Sequence, residues 1–262
     1  MQFSYLSRIM NKIVYRDKSG GSSMKKRIII LILILILIIV FYNIHSSSVG
    51  AKEQSQYQDW ERSQILNLKE NEVGILIEIN EKTLYLLKGN KVIKTYAVAT
   101  GKTGSPSPIG EWTIVEKSSW GGGFGARWMG LNVPWGIYGI HGTNKPGSIG
   151  WNASHGCIRM RNQDVKELFD LVPRGTRVVI RGGPYGSFGN GFRTLVPGDR
   201  GQDVMEVQRK LRELGFYQGS IDGIYGTEME YALNQWQKEN HLSITNKITT
   251  DLYEKLGIEL FD

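Results

Sequence analysis

Three hydrophobic patterns succeed one another along this chain, and each predicts a different kind of element. Every residue from Ile28 to Val40 is Ile, Leu or Val, and the run continues through Phe41, Tyr42 and Ile44 around the polar Asn43. A helix that is apolar all round has no face to offer water, so this segment predicts a membrane helix and not a packed surface helix. Its roughly sixteen apolar residues lie between the core of a signal peptide and a comfortable span of about twenty. The expectation is an uncleaved transmembrane anchor over residues 24–44, with a signal peptide cut near Ser48-Val49-Gly50 as its alternative.

From Val73 the period drops to two. Ile75, Ile77 and Ile79 alternate, a second apolar run spans 82–88 and a third 91–100, with Asn80-Glu81 and Gly89-Asn90 as tight turns. This is a strand meander with hairpin signals. After the break at Ser105-Pro106-Ser107-Pro108-Ile109-Gly110, further strands are expected at 111–116, at 138–140 leading to His141, and at 176–180. One helix is expected over 162–171, where Val165, Leu168 and Phe169 recur at helical spacing and Pro173 follows. Residues 73–182 therefore read as a mostly-β domain long enough to bury a full core.

The third pattern is helical. Residues 203–214 place Val204, Val207, Leu211 and Leu214 on one face before Gly215. Thr227-Glu228-Met229-Glu230 reads as a capping box opening a helix whose inner face includes Tyr231, Leu233 and Trp236. A shorter helix follows near 249–257. The Ser-, Gln-, Lys- and Glu-rich residues 45–72 read as a solvated spacer, and the glycine-rich residues 183–197 as an interdomain linker.

Net charge changes this picture less than its value suggests. The chain carries +7, yet residues 1–27 hold seven Lys or Arg against one Asp, so the remainder is within one charge of neutral. The basic bias is a topology signal that keeps the N-terminus cytoplasmic and sends residues 45–262 outside. It is not a nucleic-acid-binding face. Met24 directly precedes Lys25-Lys26-Arg27 and makes a conventional short basic start, so residues 1–23 read as a cytoplasmic segment or as an extension ahead of the natural start.

Cys157 is the single cysteine of the chain, in Ser154-His155-Gly156-Cys157-Ile158-Arg159, with His141 thirteen residues before Ser154. An exported chain with one cysteine has no internal disulfide to make, which leaves a reactive thiol as the leading reason to carry it. A thiol, two imidazoles able to take its proton, and a glycine that lets backbone N–H groups face a substrate are the parts of acyl transfer through a thioester. Three other readings stand beside this one: a core cysteine, a zinc site built from Cys157 and the two histidines, and a surface role for Arg159. The aromatic-glycine stretch 120–128 reads as a loop near the site.

Two resemblances rest on these residues. Val73 to Gly182 resembles the L,D-transpeptidase catalytic domain of the YkuD type, through Ile140-His141-Gly142-Thr143, the thirteen-residue gap, and Ser154-His155-Gly156-Cys157-Ile158-Arg159-Met160. Ser107-Pro108-Ile109-Gly110 is similar to that family's Thr-Pro-x-Gly segment, with Ser107 in place of Thr. Residues 198–258 resemble a three-helix peptidoglycan-binding domain, through Gly198-Asp199-Arg200-Gly201, Leu214-Gly215-Phe216-Tyr217 and Ile221-Asp222-Gly223-Ile224-Tyr225-Gly226. There Met229-Glu230 and Asn246-Lys247 depart from the family's pattern.

The resemblances imply an α+β multidomain chain: an N-terminal transmembrane helix, a mostly-β catalytic domain and a three-helix wall-binding domain. They imply cross-linking of peptidoglycan stem tetrapeptides, with no metal and no other cofactor. Cys157 would be the nucleophile and His141 the base, oriented by the Gly142 carbonyl, with His155 an alternative base. The N–H groups of His155, Gly156 and Cys157 would form the oxyanion hole. Arg159 would hold a substrate carboxylate, and Ser154 is placed with it at the substrate, where it also fixes the turn. The same thioester passed to water would give a carboxypeptidase or endopeptidase, and loss of chemistry would leave a wall-binding protein.

Overall fold

In a computed structural model of the chain, the structure describes residues 30–31, 33–40, 58–59, 61–119 and 121–260. The chain divides into two compact units, residues 1–57 and 58–262. Within the first, residues 30–31 and 33–40 are helical, with the side chains of Ile30 and of residues 33–40 exposed. Among the described residues no helix is long and apolar enough to cross a membrane. Most of the expected anchor at 24–44, and all of 1–23, lies outside the described residues.

The second unit opens on helical residues 58–59 and 61–66, then a mixed sheet. Its strands are β1 (Val73–Glu78), β2 (Thr83–Lys88), β3 (Lys91–Ala97), β4 (Thr100–Gly101), β5 (Gly110–Ser118), β6 (Trp128–Leu131), β7 (Tyr138–His141), β8 (Asn152–Ser154), β9 (Ile158–Arg159) and β10 (Arg177–Arg181). The main sheet runs β3-β2-β1-β10-β5-β6-β7-β9, and β4 pairs with β8. The alternation that predicted β1 is visible in its packing. Ile75 and Ile77 enter the main core beneath Val165 and Leu168 of helix α1 (Asn162–Leu171), as expected from the helical spacing of those residues.

Leu76, on the opposite face of β1, is also fully buried, against Leu66, Leu87 and Val179. The cover on this second face is supplied by part of the segment read as a spacer. Leu66 is fully buried and its carbonyl accepts a bond from Arg177 Nη1 at 2.6 Å. The polar composition of 45–72 concealed this, because one well-placed leucine and a helix are enough to close a sheet face.

The C-terminal module holds α2 (Gln202–Glu213), α3 (Thr227–Glu239) and α4 (Thr250–Lys255) around a core that includes Val204, Val207, Leu211, Leu233, Trp236 and Tyr253. Two expectations change here. Tyr231 is 67% exposed, and Met229 and Ala232 take the inner face with Leu233 and Trp236. The capping box does not form: Gly226 is the N-cap, and the Glu230 carboxylate instead accepts a bond from Asn246 Nδ2 at 2.5 Å. The expected linker at 183–197 is folded onto this module. Phe192 stacks on Tyr253 with ring centroids 4.2 Å apart, and the buried Leu195 exchanges backbone bonds with Ile248. Gly-rich composition predicted a free tether, but three apolar residues, Phe188, Phe192 and Leu195, decide the outcome.

Candidate active site

Two short strands bring the motif residues together. β7 and β9 lie side by side in parallel, with Ile140 opposite Ile158 and His141 opposite Arg159. Residues paired across parallel strands face the same way, so His141 and Arg159 share one face of the sheet. Cys157 lies in the bend just before β9, with its thiol toward the Ile137 carbonyl just before β7. The far edge of β9 is held by Ala99, which exchanges both backbone bonds with Arg159 at 2.8 and 2.9 Å.

His141 is buried, and its Nδ1 lies 2.5 Å from the Gly142 carbonyl. A carbonyl only accepts, so Nδ1 carries the proton and Nε2 is left as the basic nitrogen. Phe124 packs edge-on to the imidazole at 5.1 Å and Trp128 lies 5.7 Å from it. Burial pushes the His141 pKa down; the Gly142 carbonyl opposes this, Arg159 reinforces it, and the Phe124 carbonyl opposes it more weakly. The sheltering loop is tied by Asn162 at the start of α1, whose Oδ1 accepts from the Ala126 N–H at 3.0 Å. Gly142 has to be glycine there, since a Cβ would collide with that same Asn162 oxygen.

The Cys157 thiol is half-buried, with the Ile137 carbonyl a loose acceptor at 4.0 Å. Burial raises its pKa above the ordinary thiol value, and the Gly139 N–H and the Arg159 guanidinium only partly offset this. The resting pair is therefore a neutral thiol beside a neutral imidazole. Arg159 is half-buried, with Nη1 donating to the Ala153 carbonyl at 3.2 Å.

The turn before Cys157 corrects two expectations. Ser154 is fully buried; its hydroxyl donates to the Cys157 carbonyl at 2.6 Å and accepts from the Gly156 N–H at 3.0 Å. It fastens the turn and has no surface left for substrate. The Gly156 N–H is thereby engaged, so the open donors of the expected oxyanion hole are the N–H groups of His155 and Cys157. Gly156 itself has φ +112°, and a Cβ would fall 2.5 Å from the Tyr138 ring, so both conformation and space require glycine. The His155 side chain is exposed with Nε2 3.3 Å from Lys102 Nζ, turned toward β4. This favours His141 over His155 as the base.

Sequence reasoning missed Tyr138 and Asn162 as parts of the site, while Trp128 lies in the stretch 120–128 expected near it. Tyr138 was legible only as a strand residue. Asn162 looked like a helix start, and nothing local marks its contact 36 residues away.

Residues 72–180 match the YkuD family, described as "L,D-transpeptidase catalytic domain", and residues 200–256 match the family described as "Putative peptidoglycan binding domain". "Putative L,D-transpeptidase YkuD" of Bacillus subtilis is 50% identical over 107 residues, covering 40% of this chain and 64% of the relative. "Putative L,D-transpeptidase YqjB" of the same organism is 39% identical over 132 residues, 44% of this chain and 69% of the relative. The chain belongs to the YkuD-type L,D-transpeptidase family. This L,D-transpeptidase family member spans just under two thirds of the YkuD relative, and its C-terminal module is a peptidoglycan-binding domain. The solved catalytic domain of an Enterococcus faecium L,D-transpeptidase is 24% identical and the match covers 42% of this chain and 97% of that one, with a TM-score of 0.38.

Proposed function

We propose that the chain cross-links peptidoglycan stem peptides by L,D-transpeptidation through a thioester on Cys157. The observation that carries this reading is the His141 imidazole, buried with its proton on Nδ1 by the bond to Gly142 and paired across the sheet with Arg159, two residues after Cys157. Such an imidazole is prepared to accept one proton, and the thiol beside it has one to give.

The steps balance on that pair. Sγ attacks the carbonyl carbon of the third residue of the donor stem as its proton passes to His141 Nε2. The carbonyl oxygen, now negative, faces the open N–H groups of His155 and Cys157, which act on charge that develops only in the transition state. The C–N bond breaks and the departing D-alanine amine takes the proton from His141. An acceptor amine then attacks the thioester, gives its proton to His141, and the thiol is restored. Arg159, beside both groups, suits a substrate carboxylate with the donors that Ala153 leaves open. The proton is handed over in each step, so a base near its working pH suffices.

We place the chain at the membrane, with residues 28–40 in the bilayer, Lys25-Lys26-Arg27 on the cytoplasmic side and the catalytic and wall-binding modules outside. The C-terminal module then holds the catalyst at its polymeric substrate.

Mass spectrometry of residues 51–262 incubated with purified tetrapeptide-stem muropeptides tests this. Dimers joined through the third residue of the donor are expected, and none with Cys157→Ala, which keeps wall binding. Shortened monomers without dimers would transfer the reading to hydrolysis, and cross-linking by Cys157→Ala would remove the mechanism.

A further inference from the structure

A cavity of about 360 Å³ lies where the catalytic and C-terminal modules meet, and it needs both of them. Pro106, Trp135 and Tyr138 line it from one side, and Phe188, Arg193 and Arg200 from the other. The junction is tight. Arg200 Nη1 donates to the Trp135 carbonyl at 3.0 Å, and the Trp135 ring packs edge-on to Trp112 at 5.2 Å. The same ring lies so close to Gly223 that a Cβ there would come within 2.5 Å of it. The wall-binding module is thus a fixed wall of this cavity.

Tyr138 connects the cavity to the thiol. Its ring lies across Gly156, whose Cβ position is also 3.1 Å from the Pro106 carbonyl. Burial raises the Tyr138 hydroxyl, and the Trp135 indole, the Cys157 thiol and the Arg200 guanidinium all act on it from nearby. The cavity therefore reaches the turn at Gly156, the residue between His155 and Cys157. His141 packs against Phe124 and Trp128, and none of the three lines the cavity.

The two arginines of the cavity differ in what they have free. Arg193 is committed to Asp203 at 2.6 Å and Asp199 at 3.3 Å. Arg200 makes its one bond to a carbonyl and has no carboxylate partner among the described residues. A guanidinium with an open fork beside aromatic walls matches a carboxylate in geometry and charge.

We propose that this interdomain cavity is a subsite for the acyl-donor peptide, in which Arg200 holds a carboxylate on the part of the donor that stays on the enzyme. The identity of the ligand as a wall stem rests on the transpeptidase reading. The assignment to donor follows from the two sides of the thiol. The acyl carbonyl must reach the open N–H groups by the cavity, whereas the acceptor amine must reach His141 Nε2 to lose its proton. The C-terminal module then takes part in substrate recognition at the catalytic cleft.

The test uses Arg200→Ala and Arg200→Lys in the full chain. Two donor tetrapeptides are compared, one with a free carboxylate on the residue preceding the acylated one and one with a carboxamide there. In the unaltered protein the carboxylate peptide should form the acyl-enzyme with a kcat/KM about tenfold higher, consistent with one charge-assisted bond. Arg200→Ala should lose that preference, mainly through KM, and Arg200→Lys should regain part of it. Alkylation of Cys157 by iodoacetamide should be unchanged, which separates recognition from damage to the fold. Retention of the full preference by Arg200→Ala would overturn the subsite while leaving the transpeptidase reading intact. If the unaltered protein forms no acyl-enzyme, binding of the two peptides to Cys157→Ala and to Cys157→Ala/Arg200→Ala decides. A carboxylate preference lost with Arg200 supports the subsite without the transpeptidase reading, and no preference overturns it.

Discussion

At the scale of single residues, the site stores its reactivity as neutral groups. Burial raises the Cys157 pKa and lowers that of His141, so each group is favoured in its neutral form. The sign has a direct consequence for labelling. Iodoacetamide reacts with thiolate, and a raised pKa leaves little thiolate at neutral pH. The alkylation rate of Cys157 should therefore rise to half its maximum above the ordinary thiol value of about 8.5. A midpoint below pH 7 would instead indicate a preformed thiolate and overturn the neutral pair. The contact of His141 with the Gly142 carbonyl was legible because it is local: an imidazole and the carbonyl that follows it. The turn was legible only in part. Whether Ser154 faces substrate or ties down Gly156 depends on its side-chain torsion, which packing sets and spacing does not.

At the scale of elements, the motif residues lie on strands that are far apart in sequence. β7 and β9 become parallel neighbours at one end of an eight-stranded sheet, and that adjacency sets Arg159 beside His141. The meander β1-β2-β3 and the helix at 162–171 were readable from period two and period 3.6. β6 was not, because Trp128-Met129-Gly130-Leu131 has no alternation and all four residues are buried. The loop that shelters His141 is fastened through Asn162. Asn162→Ala removes the acceptor for the Ala126 N–H, a loss of about 1 kcal/mol. It should lower kcat severalfold while leaving wall binding unchanged, and it should speed hydrogen exchange at the Ala126 amide. Unchanged exchange at that amide would show that the loop is held by other contacts.

At the scale of the whole molecule, segments read as spacers are part of the folded body. Residues 58–66 close one face of the sheet, and residues 183–197 complete the C-terminal core through Phe188, Phe192 and Leu195. A fragment of residues 198–262 lacks Leu195, which is fully buried, and the two aromatic rings around Tyr253. It should be less stable than residues 184–262 by several kcal/mol, since removing one buried large side chain alone costs about 2–5 kcal/mol. Denaturant melts of the two fragments check this, and equal midpoints would make 183–197 a dispensable tether. By itself the sequence determined the reactive motif, the alternating strands, the single helix of the catalytic module and the helical C-terminal module. These follow from short-range periodicity and from residue chemistry that is complete within a few positions. Only the tertiary structure decided which strands are neighbours, which N–H groups of the turn stay open, and that polar and glycine-rich stretches join the core. Such outcomes depend on contacts between residues tens of positions apart, and the energy of a contact of that kind leaves no periodic trace in the chain.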